Sequence, residues 1–438
     1  MRSHIGLIAL ALVPALGWSQ QLSLGEAVGA ALATEPSLAA AAAEHDVARA
    51  AADEAAAALE PQVNLAGSAM RYEEPMVVSP IHGFTPGLIP EFDRTLVQSS
   101  LSATYLLWDG GGARARVRQA RALAGAAEET VAQIRQALVA RTVAAYTGVL
   151  TAAENLVAEQ RRLEALGAEE RRIEQLKRVG RAADVEVYRV EAARAAGEAA
   201  RTMAVTRLEV AEADLARLTG FPRERTRASN LAPVPASRDP EPVDEATVLA
   251  ANPRVAAARR QLAAAEAALV AASAGRKPQI NVASAVNQFG GGDLDFTYEW
   301  NAGLQLRLPV LDGGATRARI ARARASAEAA QARVRVAEPA AGSELDRAAA
   351  EVRNARARFD SHVVAAQRSA EVARDERLRL DVGAGTQSEY LRAEADLVAA
   401  RAAVAAARQA LALARVELAR VAGTLDTQWI EATFGSEP

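Results

Sequence analysis

Cysteine is missing from all 438 residues, which excludes disulfides, thiolate metal sites, thiol nucleophiles and lipid attachment through an N-terminal cysteine. Aromatic side chains are scarce, at 4%, so a bulky globular core has little to be built from. Alanine runs such as "AAAAEHDVARAAADEAAAAL" favour long, closely packed helices instead. Neither sign of charge dominates: 51 Lys and Arg stand against 54 Asp and Glu, with no sustained basic stripe to bind nucleic acid. His4, His45, His82 and His362 are scattered and form no ligand pair at i, i+4. Met1, Met70, Met76 and Met203 are too few for a thioether copper path. No catalytic residue, cofactor or resident metal is expected, which leaves metal as cargo open.

What is present begins with "MRSHIGLIALALVPALGWSQ". Arg2 supplies positive charge, Ile5 to Leu16 form an apolar stretch, and Gly17 and Ser19 offer small residues for cleavage. Residues 1–19 therefore read as a secretory signal peptide. The stretch is shorter than the ~20 residues of a spanning helix, and the mature chain is expected to have no transmembrane helix.

The rest of the chain is duplicated. "LLWDGGGARARVRQAR" at 106–121 returns as "PVLDGGATRARIARAR" at 309–324, with Asp109 over Asp312, a shift of 312 − 109 = 203. At the same shift "VGRAADVEVYRVEAA" lies over "VGAGTQSEYLRAEAD", and "LARLTG" over "LARVAG". Earlier, "EPSLAAA" pairs with "NPRVAAA" and "PQVNLA" with "PQINVA", at a shift of 278 − 61 = 217. The first copy thus carries 217 − 203 = 14 more residues between Ala66 and Leu101, where a loop has grown. The copies span 20–223 and 241–438, joined by a Pro-rich linker at 224–240.

Each copy reads as helix, two strands, long helix, turn, helix. First helices are expected over about 22–58 and 243–276, stopped before Pro61 and Pro278. Strands are expected over about 62–72, 95–108, 278–288 and 297–311. In the last, Tyr298, Trp300, Leu304, Leu306, Leu308 and Val310 fall on one face, and Glu299, Asn301, Gln305 and Arg307 on the other. The second strand alternates likewise: Val97, Leu101, Ala103 and Tyr105 oppose Gln98, Ser100, Ser102 and Thr104. Helices of about 67 residues follow, 112–178 and 315–381, each ~100 Å long at ~1.5 Å per residue. Their 3-4 and sevenfold apolar spacings read as coiled-coil seams, with Pro339 expected to kink the second. Return helices run to Gly220 and Gly423.

"DGGGARAR" lacks the Gly-Lys-Ser/Thr ending of a phosphate loop and the spacing of a dinucleotide fingerprint. It reads as a strand-to-helix joint. Gly110, Gly111, Gly313 and Gly314 turn the chain, and Asp109 and Asp312 cap the helix. The arginines that follow contact lipid headgroups or form a solvated face. Four two-faced strands cannot stand alone in a bilayer, because their open edges would leave backbone groups unpaired in lipid. Several chains must share one barrel.

The start "LSLGEAVGAALATEPSL", the two joints and the turn "RLDVGAGTQSEYLRAEADL" resemble the TolC-like family of bacterial outer membrane efflux proteins. The resemblance implies a mainly α fold with a membrane β-barrel portion. Three chains would form a duct of twelve strands and a twelve-helix periplasmic tunnel. It implies a homotrimer in outer membrane lipid, fed by an inner membrane pump through a periplasmic membrane-fusion adaptor. By the same resemblance Val179, Gly180, Arg181, Val382, Gly383 and Ala384 are adaptor-contacting tips, and Glu186 and Glu389 are periplasmic gate candidates. Gly385 stands where the family has a basic residue. Two other readings, a periplasmic adaptor and a secreted structural coiled coil, share the signal peptide and the helices but not the two-faced strands.

Overall fold

The computed structural model describes residues 21–81, 87, 89–234 and 244–435. The signal segment, His82 and part of the linker lie outside them.

The described residues fall into two compact units, one of residues 21–35, 135–234 and 345–435, the other of residues 36–81, 87, 89–134 and 244–344. The second unit contains the sheet. Strands β1 (Gln62–Val77), β2 (Phe92–Trp108), β3 (Gln279–Gly290) and β4 (Phe296–Arg307) pair antiparallel in the order β1-β2-β3-β4. Register carries the alternation across all four. Leu65, Leu101, Val286 and Trp300 form one row, and Ala66, Ser100, Asn287 and Glu299 the next, on the opposite face. On the wet face Ser100 Oγ donates to Asn287 Oδ1 at 2.7 Å. On the oily face Leu304 and Trp300 are 71% and 76% exposed. Soluble proteins rarely expose an apolar surface this continuous.

β4 stops at Arg307, not at 311 as expected, so Leu308 and Val310 lie beyond the sheet. Its partner begins only at Gln279, after Pro278, and Pro309 brings no N–H to the ladder. β1 and β2 run longer than expected, with a register shift between Arg71 and Met76.

The expected first helices are each two helices, which corrects the single spans. α1 (Leu24–Thr34) and α2 (Pro36–Ala57) are separated by Glu35, and α5 (Glu245–Ala251) and α6 (Pro253–Ala274) by Asn252. Proline disfavours the helical region for the residue before it. Glu35 is extended at φ −72°, ψ 117°, and Asn252 at φ −70°, ψ 118°. Asn252 then caps α6, its Oδ1 accepting from the backbone N–H of Arg254 and Val255.

Long helices α3 (Gly112–Arg178) and α7 (Ala315–Asp381) occupy the expected spans, and α7 continues through Pro339. Return helices α4 (Asp184–Thr219) and α8 (Gln387–Val421) follow the turns, and α9 (Thr427–Phe434) closes the described chain. α8 is long and apolar enough to cross a membrane. Alanine accounts for that, and Ala412, Val416 and Ala419 pack into the first unit's core with Val139, Val143, Tyr146 and Leu425. The fully buried Tyr146 hydroxyl lies 2.7 and 2.8 Å from the carbonyl oxygens of Leu22 and Ala232, tying together two segments joined by a parallel bridge. Burial holds its pKa well above the ordinary phenol value.

Candidate functional site

The joints repeat atom for atom. Asp109 Oδ1 accepts from Gly111 N at 3.1 Å and Oδ2 from Ala113 N at 2.6 Å. Asp312 does the same with Gly314 N at 3.0 Å and Thr316 N at 2.8 Å. Each carboxylate satisfies donors that a helix start leaves without partners. The Thr316 hydroxyl first, and then these backbone bonds, hold the Asp312 pKa below the usual carboxylate value. Gly110 and Gly111 have φ of 70° and 89°, Gly313 and Gly314 of 62° and 87°. Two successive left-handed residues turn the chain from sheet to helix at the same place in both copies. Lys277, two residues before β3, lies across the first joint and donates to Gly110 O at 3.1 Å.

The turns also match each other. Gly180 and Gly383 share φ 72°. Arg181 N donates to Leu176 O and Ala384 N to Arg379 O, both at 2.8 Å, a six-residue closure typical of a glycine-terminated helix. Val179 and Val382 are exposed at these tips. A Cβ at Gly385, where the family's basic residue was expected, would lie 3.0 Å from Arg379 Cβ, a tight approach.

Beyond the turns the copies differ. Thr386 and Glu389 form a capping box: the Glu389 carboxylate accepts from Thr386 N at 2.9 Å and from its hydroxyl at 2.8 Å. These bonds hold the Glu389 pKa below its ordinary value. Ala183 occupies the equivalent position in the first copy and cannot cap, and Glu186 has no side-chain partner among the described residues. Lys177 instead bridges that turn to Asp184 at 2.7 Å. Arg189 Nη1 donates to Ser388 Oγ at 3.4 Å, bringing together the starts of α4 and α8.

Periodicity did not reveal an ion cluster behind these turns. Glu169 is fully buried, pairs with Arg172, and lies 3.7 Å from Arg377. The Arg377 guanidinium also stands over the Tyr390 ring, 5.2 Å from its centre. Burial raises the Glu394 pKa despite nearby Arg401 and Arg377. Charged residues at helical spacing look like a solvated face in sequence, and only the packing distinguishes them.

Among the described residues no group of His, Cys, Asp and Glu is arranged to hold a metal ion.

Residues 27–221 and 246–424 match the model of the outer membrane efflux protein family. A relative, outer membrane efflux protein BepC of Brucella suis biovar 1 (strain 1330), is 27% identical over 330 residues, 73% of this chain and 70% of that protein. The solved structure of the outer-membrane channel OprN is similar at a TM-score of 0.77 and 26% identity, over 91% of this chain and 89% of that one. That of outer membrane protein VceC from Vibrio cholerae has a TM-score of 0.76 at 21% identity, over 91% and 96%, a likeness of fold.

Proposed function

Because the chain belongs to the outer membrane efflux protein family, we propose that three copies join their sheets into one twelve-strand barrel and form an outer membrane exit duct. The duct is passive. It carries cargo delivered by an inner membrane pump through a periplasmic adaptor, and its large helical part lies in the periplasm. Family and fold are those of channels, not enzymes.

One observation carries the reading: a four-stranded sheet with an oily face, a wet face and two outer edges, on β1 and β4, that no strand among the described residues covers. Lipid solvates the oily face, but bare edges there leave N–H and C=O groups unpaired at several kcal/mol each, so closure is required. Four strands are half of the smallest known barrels, which have about eight. The same two-faced sheet argues against the adaptor and the secreted coiled coil.

Signal peptide 1–19, repeats 20–223 and 241–438 and linker 224–240 belong to this reading. So do the tips Val179–Gly180–Arg181 and Val382–Gly383–Ala384 as the adaptor contact, supported by their exposure and shared turn geometry. Glu186 and Glu389 are the gate candidates, Glu389 with a competing role in its capping box.

Detergent-extracted protein from outer membrane fractions is expected to have the mass of three chains. A monomer in mild detergent, with negative crosslinking, overturns the shared barrel, and recovery in the soluble periplasm overturns the duct. Gly383→Trp is expected to insert and assemble normally yet lose adaptor-dependent export. Normal export moves the contact elsewhere.

A further inference from the structure

Beside the joints, within the second unit, lies a groove of about 1110 Å³ walled by the starts of α3 and α7, the end of α6 and the ends of β3 and β4. Its α6 wall is largely alanine, which leaves the space open. Six cations line it: Arg116, Lys277, Arg307, Arg319, Arg322 and Arg333. Two carboxylates share the groove, and both are already engaged. Asp109 caps α3 and pairs with Arg116 at 3.3 Å, and Asp312 caps α7. Lys277 is bonded to Gly110 O. Among the described residues, Arg307, Arg319, Arg322 and Arg333 make no ion pair.

The excess is built into the sequence. Residues 315–337 hold six arginines and one carboxylate, Glu328, in a chain whose total charge is nearly balanced. Elsewhere in the chain arginines are commonly paired, as in Arg254 with Glu344 at 2.8 Å and Arg259 with Glu338 at 2.7 Å. All but two of the chain's 51 cations are arginine, whose planar fork matches phosphate and carboxylate oxygens two at a time.

Strand register decides which side the groove serves. Gln279 and Arg307 line it and stand opposite each other in the ladder, two residues along from the Asn281–Gln305 pair, so both belong to the wet face. Leu304 and Leu306 point to the other face. Arginines that anchored lipid headgroups would be grouped with the leucines.

We propose that this groove is an oxyanion station on the exit path, and that the duct takes cargo bearing phosphate or carboxylate groups. The proposal rests on the duct reading for its place on a path, while the groove's affinity for anions can be measured independently of it.

The test titrates inorganic pyrophosphate into detergent-extracted, assembled protein by calorimetry. It compares wild type with Arg307→Gln/Arg319→Gln/Arg322→Gln, and with a control that removes equal charge outside the groove, Arg317→Gln/Arg324→Gln/Arg335→Gln. Wild type and control are expected to bind, with affinity falling as salt rises. The groove variant is expected to lose at least about tenfold, since each charge-assisted bond contributes about that factor or more. In planar bilayers pyrophosphate should interrupt the wild-type current and spare the groove variant. Wild type that assembles without binding, or equal binding by all three proteins, overturns the station. If instead the groove variant loses co-extracted anionic phospholipid, with pyrophosphate binding unchanged, the arginines serve headgroups and the proposal is wrong. Absence from the outer membrane with binding intact would remove the duct and leave the anion site.

Discussion

Glu169 and Arg172, one helical turn apart on α3, form a two-pronged ion pair. Oε1 accepts from Nη2 at 2.8 Å and Oε2 from Nε at 2.9 Å, with the carboxylate wholly buried. Arg172→Ala should strand that charge with only Arg377 at 3.7 Å to offset it, at a cost of about 3–5 kcal/mol. Replacing both residues by leucine should recover most of the loss. Thermal unfolding of the extracted protein measures both. A small loss in the single variant means that the carboxylate is not confined as described.

Depth in the membrane should grade the cost of a charge on the oily face. Ala302, midway along β4, and Leu306, one residue from its end, occupy the same face. Ala302→Arg should cost about 2–4 kcal/mol and Leu306→Arg about 0–1. Assembly yields in denaturant titrations would show the order, and equal costs would place the bilayer elsewhere.

Helix capping predicts unequal joints. Asp109→Ala and Asp312→Ala each remove a cap that contributes about 0.5–2 kcal/mol. Asp109 is the more enclosed and also holds Arg116, so its loss should lower the melting temperature further. Hydrogen exchange should show fraying confined to the first turn of α3 or α7.

Glu394 should make stability fall with pH. Its folded pKa is raised, by burial first, above the ordinary 4.5. The folded state therefore holds this proton more tightly than the unfolded chain does. Its contribution is complete below pH 4.5 and is lost as pH rises through the folded value. Glu394→Gln should match wild type at pH 4 and melt higher at pH 7. A variant that matches wild type at pH 4 but melts lower at pH 7 would show that Arg401 and Arg377 more than compensate the burial.

Duplication made much of this fold legible. α3 and α7 begin and end where the glycines and apolar spacing placed them, and the aspartate caps follow from a short polar residue before a helix. The breaks at Glu35 and Asn252 were equally readable, since Pro36 and Pro253 stand in both copies; the alanine runs on either side concealed them. The box at Thr386 and Glu389 has the spacing of a capping box, which a gate reading of Glu389 passes over. Other features were out of reach. The end of β4 depends on where β3 starts pairing, and Arg377 lies more than two hundred residues from Glu169. The groove required three helices and the ends of two strands to be brought together. Arginine spacing within a single helix does not reveal which of its cations lack carboxylates.

Over the continuously paired stretch, the wet face has two acidic or basic side chains, Glu299 and Arg307, eight residues apart on β4. That is roughly 25 Å at ~3.3 Å per residue. Between and beside them lie amides and hydroxyls such as Asn301, Gln305, Ser100, Ser102 and Thr104. Such groups donate and accept with equal ease, so they can replace part of the hydration shell of a solute of either sign. Between the two charges such a surface is expected neither to retain nor to reject what passes. Discrimination is then concentrated at its margins, and the protein can change what it admits by substituting residues there, leaving the barrel wall untouched.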